Sequence, residues 1–126
     1  MRRFLVHTSK GRFRIEGLVQ AVGGDLLVCL WGGTPHIGAV GIAQPRPSLK
    51  DSEEWSATTS NFTFPGHKED ALVKEISEAL AAGLRRNVVV TAGMHWDKIS
   101  PREIKIIENL CRRISKQILK KSFALI

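Results

Sequence analysis

Three of the four histidines in this 126-residue chain stand beside glycine at a turn or a strand end. They fall in Gly33-Thr34-Pro35-His36-Ile37-Gly38, in Pro65-Gly66-His67-Lys68-Glu69-Asp70 and in Ala92-Gly93-Met94-His95-Trp96-Asp97. The fourth, His7, lies in a strand pattern without that setting. Glycine at such points lets backbone approach a ligand closely or take a positive φ. Imidazole can donate, accept, ligate a metal or titrate near neutrality. Each histidine alone has a plain structural reading, and three in one kind of setting weaken that reading without showing that they meet in space.

The second segment predicts an anion site. Gly66 precedes a helical pattern whose first amides lack internal partners, and the helix dipole favours negative charge there. His67 and Lys68 would add hydrogen bonds and positive charge toward a phosphate or carboxylate. Alternatively, Glu69 and Asp70 already satisfy the first turn.

The third segment supports two sharper readings. His95 and Asp97, two apart in a loop, could orient one another or jointly ligate a divalent metal with His36 or His67. Or Trp96 offers a stacking face to a flat heterocycle while His95 and Asp97 hydrogen-bond its edge. The bland alternative packs Trp96 on the sheet and pairs Asp97 with Lys98 or nearby amides. No His-Glu-x-x-His or Cys-His cluster supports zinc hydrolysis. No serine sits in a nucleophile elbow and neither cysteine has an electropositive setting, so covalent catalysis lacks support.

The elements that must position these residues change period half-way along the chain. RFRIEGLVQAV and LLVCLW read as strands joined by Gly23-Gly24-Asp25, an antiparallel hairpin. HIGAVGIAQ is a further strand, and ATTSNFTF another. Between them PRPSLKDSEEWS, from Pro45, loses all periodicity and reads as a mobile loop. From Glu69, the residues Leu72, Ile76, Ala79, Leu80, Gly83 and Leu84 line one helical face. NVVVTA returns to strand. Ile104, Ile107, Leu110, Cys111, Ile114 and Ile118 then mark a second helix, with Ser100 as N-cap, Pro101 at its first position and Glu103 completing a capping box. Strands followed by helix, strand and helix predict an α+β fold over residues 1–126 as a single domain, an antiparallel sheet with both helices on one face. The other face must be solvated or covered by a second copy, with Trp31 and Trp55 available to help cover it.

Hydrophobic content of 43% and charged content of 25% are ordinary for a soluble domain. No apolar run approaches the ~20 residues of a membrane span, and the N-terminal run is too short for a signal peptide. Cys29 and Cys111 are far apart and lie in apolar patterns, which predicts buried free thiols in a reducing cytoplasm. The glycosylation acceptor Asn61-Phe62-Thr63 carries little weight without a secretory signal. The net charge of +7 gathers at the two ends of the chain, yet no nucleic-acid module accompanies it, so a nucleic-acid partner is not expected.

Three blocks carry a resemblance: HIGAVGIA (36–43), SATTSNFTFPGHKEDALVKEI (56–76) and VVVTAGMHWDKISPREI (88–104). In that order they resemble the prenylated-flavin chaperone family, the small D-subunit proteins of gallate-type and other UbiD-like decarboxylases. The resemblance runs from about Gly17 to Ile118, and Ala92 to Asp97 fits its Ala-Gly-[Ile or Met]-His-any-Asp pattern, with Trp96 where a smaller aliphatic residue is expected. It implies an architecture shared with small proteasome assembly chaperones and pairing into a homodimer. It also implies a non-catalytic or weakly catalytic role: binding prenylated flavin mononucleotide (FMN), or FMN, and assisting its maturation or delivery to a UbiD-like decarboxylase. By position, His36 and Gly38, then Gly66, His67 and Lys68, then His95 and Asp97 inherit the expected site.

Two other functions remain open on sequence. One is a protein-assembly chaperone of the proteasome type, presenting basic helices and the loop from Pro45 to Trp55 to a larger subunit. The other is a metal-binding protein built on His36, His67, His95 and Asp97. Chain direction predicts that the turns at Gly66 and Gly93 face the same side, so that His95 and Asp97 lie within reach of His67. His36 joins them only if sheet order brings its strand alongside.

Overall fold

The computed structural model describes residues 2–64 and 69–125. Its elements are β1 (Arg3–Lys10), β2 (Phe13–Val22), β3 (Asp25–Gly33), β4 (Ala39–Pro47), β5 (Trp55–Thr63), α1 (Asp70–Leu84), β6 (Val88–His95) and α2 (Pro101–Ser122). The six strands form one sheet in the order β1-β2-β3-β6-β4-β5, and the fold is α+β. The Gly23-Gly24 turn joins β2 to β3 with Val22 opposite Asp25, the expected hairpin.

The sheet is mixed rather than wholly antiparallel. β6 enters between β3 and β4, parallel to β3 and antiparallel to β4. The reason lies in α1, which carries the chain back across the sheet so that β6 starts at the same end as β3. A crossover of that kind is what a parallel pair requires.

The prolines of the presumed loop belong to the sheet. Pro45 and Pro47 pair with Ala57 and Trp55. The β4–β6 ladder has already ended at Ala43–Val88, so no inner neighbour asks these prolines for an N–H. Irregular chain is confined to residues 48–54.

Strand alternation sends Phe13, Ile15, Val19, Val28, Leu30, Val88 and Val90 to the face that carries both helices. There α1 covers β4, β5 and β6, and α2 covers β1 and β2. The buried stripe of α1 is Val73, Ile76, Ser77, Leu80, Ala81 and Leu84, rotated from the expected one, so that Leu72 and Ala79 fall to its side. In α2 only Leu110, Cys111, Ile114, Ile118 and Ser122 are buried, while Ile104 is exposed. Ser100 caps α2 as expected: its hydroxyl accepts from Glu103 N–H, and the Glu103 carboxylate accepts from Ser100 N–H.

The thiols and tryptophans divide differently from expectation. Cys111 is buried but Cys29 is only half-buried, because it points to the uncovered face. Trp31 is also on that face, whereas Trp55 lies on the helix side under the Arg85 guanidinium, 4.8 Å from its ring. No helix among the described residues is long and apolar enough to cross a membrane.

Candidate functional site

The parallel pair β3 and β6 ends at Gly33 and His95, side by side. From there the two chains part. The segment after β3 turns across the end of β6 to start β4, and the segment after β6 leads to α2 above β1 and β2. Strand ends whose connections diverge in this way leave a crevice at their carboxyl edge.

Close backbone approach holds the crossing segment down. Gly38 N–H donates to Ala92 O at 2.9 Å, and Gly38 O accepts from Phe64 N–H at 2.9 Å. The His36 carbonyl lies directly over Gly93, where any Cβ would collide with it. A Cβ at Gly38 would likewise strike the Glu69 carboxylate. These two glycines are therefore fixed by steric contact.

Glu69 does not take the first-turn capping part that the sequence left open for it. It occupies the N-cap position of α1 but makes no side-chain cap bond. Its Oε1 instead accepts from Met94 N–H at 3.1 Å and stands 3.4 Å from His36 Nε2. The Glu69 side chain is 11% exposed and that of His36 22%. His36 Nδ1 lies 3.0 Å from Thr34 O, a carbonyl that can only accept, so Nδ1 carries a proton. The start of α1, the segment before β4 and the end of β6 are thus tied at one carboxylate.

His95 and Asp97 pair at 3.2 Å between Nε2 and Oδ1, with Asp97 almost wholly exposed. Trp96 packs edge-on to Phe13, with ring centroids 5.3 Å apart, and fills the space above Gly32. Its indole is thus engaged by the sheet, and another part of it borders open space next to Met94. Arg12, in the β1–β2 turn, donates to Asp97 O at 3.1 Å and pairs with Glu103 at 3.5 Å. That clamp spans 85 residues of sequence, and no local signal announces it.

Gly66, His67 and Lys68 lie outside the described residues. Glu69, immediately after them, does bring the start of α1 to the end of β6.

Between the helices opens a cleft of about 840 Å3. Leu119 packs against Gly83 where the C-terminal halves of α1 and α2 meet. Toward their N-termini the helices separate, and Leu72, Ile76 and Ala79 face Ile104, Ile107 and Cys111 across the gap. Glu69, Met94, His95 and Trp96 close the end beneath the strand carboxyl edge, and Arg112 and Lys116 stand at the other. Arg112 is engaged by Glu75 at 3.3 Å and by Glu108 at 3.9 Å. Burial pushes the Cys111 thiol up to about 12, with the Glu75 charge adding to the rise. At neutral pH it is an inert wall, not a nucleophile.

Among the described residues no group of three or more His, Cys, Asp or Glu side chains could hold an ion. His36 pairs with Glu69 and His95 with Asp97, as two separate pairs.

The family model of the prenylated flavin chaperone LpdD-like domain matches residues 9–122. The chain belongs to this family. Protein LpdD of Lactiplantibacillus plantarum is 24% identical over 113 residues, covering 89% of this LpdD-like chain and 79% of its relative. A chain in the crystal structure of a chaperone complex for yeast 20S proteasome assembly aligns with a TM-score of 0.48 at 11% identity, over 99% of this chain and 95% of that one.

Proposed function

We propose that this LpdD-like chain binds a flavin mononucleotide, in its prenylated form or as FMN, and passes it to a UbiD-like decarboxylase. The observation that carries the reading is the cleft: about 840 Å3, walled by aliphatic side chains, with polar groups at both ends, Glu69 and His95 at one and Arg112 and Lys116 at the other. Flat cofactors are held in that way, by apolar walls and a few placed polar groups, in pockets of roughly 300–1,000 Å3.

Each part of the ligand has a counterpart in the chain. Leu72, Met94, Ile104 and Ile107 would wall the ring system and keep water from it. His95 lies where it can hydrogen-bond the ring edge and hold or release a proton. The phosphate is assigned to the start of α1, with Gly66, His67 and Lys68. Glu69 supports this by turning its carboxylate to Met94 and leaving the first amides of α1 without a side-chain cap. The flavin would supply the redox chemistry of its ring, and the chain would bind, orient and shield it. An open-sided cleft suits a carrier that must release what it holds.

Anaerobic titration with reduced prenylated FMN, and aerobic titration with FMN, tests this through flavin absorbance and fluorescence. The expected result is saturable one-to-one binding, together with higher activity of a UbiD-like decarboxylase co-expressed with this chain. Absence of any spectral change with either flavin, with decarboxylase activity unaffected, would contradict it.

A further inference from the structure

We infer that Arg12 is a positioning residue for the cleft, fixing the turn after β6 so that Trp96 and Ile99 stand where a flat ligand meets them. The inference rests on the flavin reading, because it concerns that same site. Arg12 does not line the cleft, whereas Trp96 and Ile99 both do. Its reach comes from the turn that carries it. Lys10 pairs with Phe13, leaving Gly11 and Arg12 as the hairpin loop, and Gly11 takes φ +59°. Glycine at the first position of such a loop marks a type II′ turn, which follows the twist of the strands.

From that turn the guanidinium grips the opposite loop. Nη2 donates to Asp97 O at 3.1 Å and to Lys98 O at 3.5 Å. Nε pairs with Glu103 Oε2 at 3.5 Å, and Glu103 Oε1 accepts from Ser100 N–H. The guanidinium carbon lies 4.8 Å from the centre of the Phe13 ring, and Trp96 packs edge-on to that ring. One cation thus holds the turn by its backbone, the start of α2 through Glu103 and the tryptophan through Phe13.

The backbone at Lys98 shows why the grip is needed. Lys98 takes φ +53°, and the other described non-glycine residue with a positive φ is Arg85 at +56°. Arg85 closes α1, where its own N–H donates to Ala81 O. Among the described residues, no backbone hydrogen bond of that kind holds Lys98. Arg12 instead binds the carbonyls of the two peptides that flank the Lys98 Cα. A left-handed residue with a side chain is costly, and surrounding contacts must offset that cost. The Arg12 and Glu103 side chains are 47% and 29% exposed, and exposed pairs add little to global stability. The effect is local. Asp97 and Lys98 lie between Trp96 and Ile99, so a shift of the turn displaces a cleft wall on either side.

FMN titration and near-ultraviolet circular dichroism of the full chain test the inference. Arg12→Ala should weaken FMN binding roughly tenfold, the factor that matches the cost of one left-handed residue. Its far-ultraviolet spectrum should not change. The near-ultraviolet tryptophan signal should change with Arg12→Ala, and should not when the same substitution is made on a Trp96→Phe background. Glycine takes a positive φ without strain. Lys98→Gly alone should therefore bind FMN like the wild type, and added to Arg12→Ala it should restore most of the affinity. Arg12→Ala that binds as tightly as the wild type would overturn the inference, as would a double variant no tighter than Arg12→Ala. A wild type that binds no FMN would instead refute the flavin reading, and the near-ultraviolet spectra would then decide alone whether Arg12 places Trp96.

Discussion

The two halves of α2 differ although one stripe runs through both. Leu110, Ile114 and Ile118 are buried on β1, β2 and α1. Ile104 and Ile107 continue the stripe toward the N-terminus, yet Ile104 is 47% exposed and both border the cleft. Helix α1 repeats the contrast, with Leu80 buried and Leu72 and Ala79 turned to the same gap. An amphipathic period reports which side of a helix is apolar, not what that side meets. A stripe that outruns the surface available to cover it makes a groove wall.

The largest consequence of this difference is in stability. Ile114→Ala removes a fully buried side chain and should cost about 4 kcal/mol. Ile107→Ala, at a half-open wall, should cost no more than about 1.5 kcal/mol. Urea unfolding monitored by circular dichroism measures both. Equal losses would mean that the cleft is closed in solution.

Next in size is the carboxylate at the head of the cleft. Glu69→Ala leaves Met94 N–H without its acceptor and should cost about 2 kcal/mol. Glu69→Gln keeps an acceptor oxygen and should recover most of that loss. If Gln proves as damaging as Ala, the charge opposite His36 matters more than the bond to Met94.

The smallest effects belong to the far end of the same loop, where α2 begins. Ser100→Ala should cost about 1 kcal/mol through the lost cap. The Ser100 N–H, then the Ser100 hydroxyl and Arg12, hold the Glu103 carboxyl below its usual range of 4.5. A carboxyl whose folded value is depressed contributes stability that is complete above its unfolded value and lost as pH falls through the folded one. The stability difference between wild type and Glu103→Gln should therefore be constant near neutrality and shrink only below about pH 4.5. A difference that fades between pH 8 and 6 would assign the effect to another group.

What could be read in the sequence was local. Gly23-Gly24 between two strand patterns gives the hairpin, and Ser100-Pro101-x-Glu103 gives the start of α2, because each signal is complete within a few residues. Placing β6 between β3 and β4 depends on pairing between segments far apart, which no short pattern encodes. Glu69 reads as an ordinary acidic residue at a helix start, and only the fold turns it toward Met94. Of the expected site residues, His36 and Gly38 come to the end of β6, as do His95 and Asp97. Of the two readings open for Trp96, packing on the sheet is the one seen in its edge-on contact with Phe13. The cleft was hidden because its walls carry the same periodicity as a core.

The central claim is that this cleft holds the flavin, and one pair of affinities tests it most directly. Ala79 is exposed on the wall of the cleft, so Ala79→Trp fills the gap without touching the buried stripe of α1. FMN titrated into wild type and variant should bind the wild type and bind Ala79→Trp at least about tenfold more weakly, a loss of ~1.4 kcal/mol, with the unfolding midpoint unchanged. Wild-type binding that Ala79→Trp leaves intact would place the flavin elsewhere and contradict the account.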